Sequence, residues 1–505
     1  MKFTKILKMF GIYSLLFLFV AGILSLTIKG VKGNPSPTYI FNNLRSVTKP
    51  FELSPERGRY ALVLSIAENK SLYFPLDIAR MALPDLGYRN GQYVSLFAPG
   101  VSTLAVPFYL VGKYFGIGQV GAFSISSLFA ILNVLLITAI VAKLTKNRWA
   151  GIAASLTFLF ASSAWAYAGT LYQHHISTFL LLAAIALLVR PVKWFTALLV
   201  GLLFSVAIAI DYPNAIFFIP YMLYLVFQHI EVEQKAEKVM LHIKFVILTV
   251  IIGIAIGLLP QLYFNKIAYG NPFTLAGGVQ SVTDAKDVST SGPHFVSTTN
   301  PNAKIGGFFK ESNLPNSAYE ILTSPDRGVL FFFPVIIMSF FGFLPLFKKH
   351  KSLAIALGGG IASIVILYSF WGDPGGGWAF GERYMIPAIS QLAIVLGVAI
   401  ATYGKKVWFA LLYFLLLVYS LSIALVGALA TNQIPPKAEA VQSHLPYFNY
   451  FLDIHLLQKG ITSSFVYNTF LQSHISLQMF ATTLSILAIG SIVISYTMAI
   501  HQKKD

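Results

Sequence analysis

Apolar stretches close to twenty residues long, separated by short turns rich in lysine and arginine, run through most of this sequence. A helix of that length crosses the roughly 30 Å hydrocarbon core of a bilayer. In lipid each backbone amide must find its partner inside the protein, so such runs fold as transmembrane helices. Composition agrees. Of 505 residues, 56% are hydrophobic and 11% charged, where a soluble domain carries about a quarter charged residues. The expected fold class is an all-α polytopic membrane protein. Lys and Arg number 36 against 19 Asp and Glu. In a soluble chain that excess would point to nucleic acid; here it marks the cytoplasmic ends of spans, and no nucleic-acid partner is expected. The absence of cysteine excludes disulfides, thiolate metal sites and cysteine nucleophiles. No Walker loop or Rossmann glycine pattern occurs, which argues against ATP-driven transport within this chain.

Charge sets the topology. Lys2, Lys5 and Lys8 precede an apolar run at about 9–28 that is too long for a signal-peptide core and lacks a clear A-x-A site. It is read as an uncleaved first span with a cytoplasmic start. The next apolar pieces are about 97–115 and 119–142. If both were spans, the basic cluster Lys143, Lys146 and Arg148 would lie outside. With Pro99, Pro107 and Lys113 in it, 97–115 fits better as an amphipathic helix on the outer interface. Spans at about 149–169, 174–189, 194–210, 213–228, 245–264, 328–347, 352–371, 384–402, 407–430 and 477–499 then leave every basic turn inside. The result is about twelve spans with both termini cytoplasmic, in a plasma (inner) membrane. The whole chain, 1–505, forms one integral membrane domain. Residues 29–118 make a first external loop with two interfacial helices, 119–264 core spans, 265–327 an external loop, 328–430 further spans, 431–475 another external loop, and 476–505 the last span and a cytoplasmic tail. Asn69-Lys70-Ser71 matches an N-glycosylation sequon, a pattern common by chance.

With this topology the unusual polar groups gather on the outer face. They are Glu56 and Asp85 in the first loop, Tyr172, Gln173, His174 and His175 in the turn at 170–175, and Asp211 at 210–214. Asp326 and Arg327 end the second loop, and Asp373, Glu382, Arg383 and Tyr384 stand among glycines at 371–384. Ionisable groups at membrane depth are costly and are kept for pairing or function. Each also has an ordinary structural role open to it. Glu56 can cap the helix it begins. His174 and His175, adjacent on a helix, point about 100° apart and suit hydrogen bonding better than a shared metal. Asp211 fits a turn, and Asp326-Arg327 a local ion pair. Gly375, Gly376 and Gly377 form either a flexible turn or a close backbone approach to phosphate.

The order of these pieces resembles the GT-C glycosyltransferases, integral membrane enzymes that use polyprenyl-phosphate-linked sugars, and in particular bacterial members without an assigned substrate. Glu56-Arg57-Gly58-Arg59-Tyr60 stands in register with the family's D-E-x-x-Y, Glu replacing the first acid and Arg the second. Gly91-Gln92-Tyr93 with Ala98-Pro99-Gly100, NKIAYGNP at 265–272, SPDRGVLFFFPV at 324–335 and WGDPGGGWAFGERYMIP at 371–387 follow in the family's order. The resemblance covers the chain from span 1 to about residue 400. It implies transfer of a sugar from a polyprenyl-phosphate-linked donor to a lipid, glycan or protein acceptor on the outer face, with inversion. Glu56 is then the expected general base and Asp85 its alternative. Arg383, Arg327, Arg59 and Tyr384 are the expected donor-phosphate ligands, and His174, His175, Asp211, Tyr60 and Glu382 the expected sugar or acceptor ligands. No cofactor or metal is expected, a divalent ion entering only with a diphosphate donor. The alternative from another class is a transporter or flippase for a lipid-linked sugar or other anion, which would use the same outward vestibule. Such proteins place ionisable groups beside broken helices at mid-membrane. Pro220 and Pro260 break the pattern here, but no charged residues flank them.

Overall fold

A computed structural model describes residues 2–44, 50–235, 238–243, 245–296, 309 and 314–502. The chain is predominantly helical. The first half comprises α1 (Lys2–Thr27), α2 (Pro37–Asn42), α3 (Ser54–Asn69), α4 (Leu76–Ala82), α5 (Gly100–Tyr114), α6 (Gly118–Thr145), α7 (Arg148–Phe160), α8 (Ala164–Ala168), α9 (His174–Leu188), α10 (Trp194–Ile210), α11 (Asn214–Phe217) and α12 (Ile219–His229). The second half adds α13 (Phe245–Tyr269), α14 (Leu314–Leu322), α15 (Val329–Phe332), α16 (Phe340–Lys349), α17 (Lys351–Ser369), α18 (Ile386–Tyr403), α19 (Val407–Leu429), α20 (Lys437–Gln442), α21 (Phe451–Gln458) and α22 (Leu477–His501).

Among the described residues, seven helical segments are long and apolar enough to cross a membrane: Phe10–Thr27, Gly118–Thr145, Phe245–Tyr269, Lys351–Ser369, Arg383–Tyr403, Val407–Leu429 and Leu477–His501. The other five expected spans are present in shortened or broken form. α7, α9 and α10 are shorter apolar helices. α7 stops because the Ser162 hydroxyl donates to the Phe158 carbonyl and accepts the Ala164 amide, a local alternative to the helical ladder. The stretch 213–228 divides into α11 and α12. The stretch 328–347 divides into α15, a 3-10 turn at Pro334–Ser339 and α16. Pro334 has no amide to donate and keeps Phe333 out of the helical region. The basic markers Lys244, Lys503 and Lys504 lie outside the described residues.

The stretch 97–115 is the helix α5, folded back along α6. Glycine makes this closeness possible: a Cβ on Gly121 would lie 2.5 Å from the Phe108 carbonyl oxygen, and one on Gly112 2.7 Å from the Gly121 Cα. α5 buries Val101, Ala105 and Tyr109 and leaves Val111, Tyr114 and Phe115 exposed. Such an apolar outer stripe suits an interfacial helix.

Small sheets accompany the helices. β1 (Leu86–Arg89) and β2 (Gln92–Ser95) form a hairpin whose Asn90-Gly91 turn has positive φ at both residues, the favoured two-residue hairpin geometry. β3 (Ile230–Lys235) and β4 (Lys238–Ile243) form a second hairpin. β5 (Gln280–Val282), from the 265–327 loop, adds antiparallel to β1. The segment 431–475 is tied to the start of the chain. The Phe465 amide donates to the Ile28 carbonyl, the Ser464 hydroxyl to Leu26, and the Asn432 amide to the Glu52 carboxylate. These loops close over one end of the bundle, where the polar turns meet.

Candidate active site

The sequence Ser54-Pro55-Glu56 starts α3. Leu53, its N-cap, has no capping oxygen, so Glu56 reaches back and accepts the amides of Glu52 at 2.6 Å and Leu53 at 3.1 Å through Oε1. This is the carboxylate half of a capping box. The other oxygen, Oε2, is buried with no partner. Glu56 belongs to the wall of a cavity of about 640 Å³ that Lys29, Glu52, Thr170, Thr431 and Asn468 also line. Thr170 Oγ1 is likewise buried and unpartnered. Burial and then the neighbouring Glu52 charge push the Glu56 carboxyl up to about 7, against the two amides and Lys29. Glu52 itself accepts Lys29 Nζ at 3.0 Å, so the cavity holds one ion pair beside one carboxyl of neutral-range affinity.

A second cluster adjoins it. Two guanidinium groups lie over the Tyr172 ring, Arg59 at 5.7 Å and Arg383 at 5.1 Å from its centroid. Arg59 also lies over Phe97 at 4.5 Å and Arg383 over Tyr384 at 5.4 Å. Such stacking holds a buried guanidinium without neutralising it. His174 stacks on Tyr172 with centroids 5.7 Å apart, and Tyr384 on Tyr368 at 4.3 Å. Gln173 donates to the Asp211 carboxylate at 3.1 Å. Burial raises Asp211, opposed by Arg59, Gln173 and Arg383. It also raises Asp85, opposed by the Ser54 hydroxyl and then Arg57, Arg59 and Arg383. Five atoms here are buried and unpartnered: Asp85 Oδ2, Tyr172 Oη, His174 Nε2, and Arg383 Nε and Nη1. Buried polar atoms nearly always have partners. Donors and acceptors left open together in this way suit the oxygens of a phosphate or a sugar. Arg57 connects the two clusters, lying in the fields of both Asp85 and Glu56, while its guanidinium donates to the Met81 and Leu83 carbonyls.

The glycine turn holds Arg383 in place. Gly376 and Gly377 have φ of +70° and +64°, a region that disfavours a side chain, and the Gly376 carbonyl accepts Arg383 Nη2 at 2.8 Å.

Four expected ligands stand elsewhere. Arg327 is fully buried and donates to the carbonyls of Ala379, Gly377 and Ile434. These bonds build the turn with its two terminal nitrogens, while Nε has no hydrogen-bond partner and lies 3.7 Å from Asp326 Oδ1. His175 points away from its neighbour His174: its Nε2 meets the Ala164 carbonyl at 2.8 Å, and Asn133 donates to its own carbonyl. Tyr60 packs between Phe51 and Tyr109. Glu382 caps the following turn through the Tyr384 amide at 3.1 Å, its other oxygen unpartnered, and burial pushes its carboxyl up to about 8. Thus Glu56, Asp85, Arg59, Arg383, Tyr384, His174 and Asp211 converge, and Arg327, His175, Tyr60 and Glu382 do not. The residues not anticipated are Lys29, Glu52, Phe97, Tyr368 and Asp453. Asp453 is buried near Lys29 and Glu52 and accepts the Thr431 amide. Nothing in the local sequence of 431–475 marks it. Among the described residues no three His, Asp or Glu side chains gather as metal ligands.

No protein-family model matches the chain, and no curated protein matches it. Solved structures do. ArnT from Cupriavidus metallidurans in the apo state is 14% identical, with 97% of this chain and 76% of that chain covered and a TM-score of 0.43. The same protein bound to undecaprenyl phosphate is 16% identical over 97% and 76%, with a TM-score of 0.41. The Archaeoglobus fulgidus oligosaccharyltransferase tethered with an acceptor peptide is 10% identical over 96% and 55%, with a TM-score of 0.46.

Proposed function

We propose that the protein is an inverting glycosyltransferase of the inner membrane. It moves a sugar from a polyprenyl-phosphate-linked donor to a lipid, glycan or protein acceptor at the outer face. The observation that carries this is one juxtaposition. A buried carboxyl with an unpartnered oxygen, Glu56, lines a cavity of about 640 Å³, and its charge reaches Tyr172, on which two buried arginines stack. Glu56 Oε2 takes the proton of the acceptor hydroxyl as that oxygen attacks the anomeric carbon. The bond from that carbon to the phosphate oxygen breaks, and polyprenyl phosphate leaves. A base serves best with an affinity near the working pH, which suits a carboxyl near 7. Arg383 and Arg59 meet the charge that grows on the leaving phosphate. Asp85 and Asp211 balance the charge of the arginines through space, and His174, Gln173 and Tyr384 contact sugar hydroxyls. A monophosphate donor needs no metal in this scheme.

The test is release of polyprenyl phosphate from a panel of labelled polyprenyl-phospho-sugars by the purified protein, in parallel with Glu56→Gln. The expected result is release by the wild type and its loss in the variant. No release from any donor, together with donor-dependent transport in sealed vesicles, would replace this function with transport.

A further inference from the structure

The far end of the bundle holds a second concavity. α6 begins beside the candidate site, where Gln119 donates to the Pro50 carbonyl, and ends about 40 Å away at 1.5 Å per residue. Near that end stands Lys143. Arg190 follows α9, and His350 and Lys351 form the junction of α16 and α17. A cavity of about 340 Å³ lies among these four. They come from three separate chain segments, and no Asp or Glu joins them in its lining. Among the described residues none of the four pairs with a carboxylate. Tyr224, Gln228 and Ser352 add neutral donors to the same wall. Leu144, Leu188 and Leu353 form its apolar side.

A general preference for basic residues at one face of a membrane protein is met by lysines anywhere on that face. Lys405 and Lys406, at the same end of the bundle, lie outside this cavity. What sets the cavity apart is convergence: two lysines, an arginine and a histidine around one concavity, with no Asp or Glu among the described residues of its lining. We propose that it binds a phosphate group, carried by an anionic phospholipid headgroup or by a soluble phosphate compound. Basic pockets between helix ends recognise lipid headgroups in this way.

The experiment uses the full-length protein and Arg190→Gln/Lys351→Gln, with Lys405→Gln/Lys406→Gln as control; all four positions are exposed. Native mass spectrometry measures retention of cardiolipin and phosphatidylglycerol against phosphatidylcholine. Thermal shift measures inorganic phosphate against chloride at matched ionic strength. The expected result is selective retention of anionic lipid by the wild type and the control, weakened at least about tenfold in Arg190→Gln/Lys351→Gln. Stabilisation by inorganic phosphate without lipid selectivity, lost in the same variant, assigns the site to a soluble phosphate. Equal loss in both double variants, or no preference of the wild type for either probe, overturns the proposal.

Discussion

Glu56→Gln separates the two tasks this side chain performs. Oε1 caps α3 by accepting two amides, and Oε2 is buried without a partner on a residue that lines the cavity. Glutamine keeps an acceptor oxygen for the cap and removes the base. Losing a general base costs about 10²–10⁴ in turnover, so release of polyprenyl phosphate should fall by that factor while the fold survives. Stability moves the other way. The folded-state affinity of Glu56 for its proton is raised from 4.5 to about 7. The stability this confers is full below about pH 4.5 and is lost as pH rises through about 7. A shift of this size corresponds to about 3 kcal/mol at most. Glutamine, always neutral, escapes the loss. Its melting temperature should draw ahead of the wild type as pH rises from 5 to 8, by the equivalent of about 2–3 kcal/mol. Glu56→Ala removes the cap as well, at a cost of about 0.5–2 kcal/mol, and should lack part of that gain. Wild-type turnover should show an acid limb near pH 7. Full turnover in Glu56→Gln would refute the base assignment. Parallel melting curves of wild type and variant across that pH range would refute the burial argument.

Arg383→Lys keeps the charge but loses the planar donors Nε and Nη1; single-turnover sugar transfer should slow by roughly 10²-fold. Gly376→Ala places a Cβ 3.0 Å from Tyr384 Cε2 and 3.1 Å from Arg383 Nε at positive φ. It should cost about 1–2 kcal/mol in melting measurements and slow turnover with it. Arg327→Met leaves the Ala379 and Gly377 carbonyls without this donor, the Ile434 carbonyl keeping the Ala379 amide, and should destabilise by about 2–3 kcal/mol, seen as lost folded yield and not as a selective rate defect. A reporter fused after Lys146 should read as cytoplasmic; an external reading would break the span count.

Hydrophobic run length and the placement of basic turns were enough to specify a polytopic helical chain. Both report how single segments partition into a bilayer, and partitioning needs no knowledge of neighbours. The same charge count set 97–115 apart, and it is the helix α5 folded back along α6. Local order also made Glu56, Asp85, Arg59, Arg383, His174 and Asp211 visible, because charges between apolar runs stand out. Roles were decided by partners that lie far along the chain. Arg327 and Arg383 look alike in sequence, yet one spends both terminal nitrogens on the carbonyls of Ala379, Gly377 and Ile434 and keeps only Nε unpartnered, while the other keeps Nε and Nη1 unpartnered and gives only Nη2 to a carbonyl. His174 and His175 are neighbours whose rings diverge because the helix turns about 100° per residue. Lys29, Glu52 and Asp453 meet only because 431–475 folds back onto the end of α1, and this long-range packing has no local signature. Burial itself, which moves Glu56 to about 7, is a property of everything that surrounds a side chain, so tertiary structure alone could decide it.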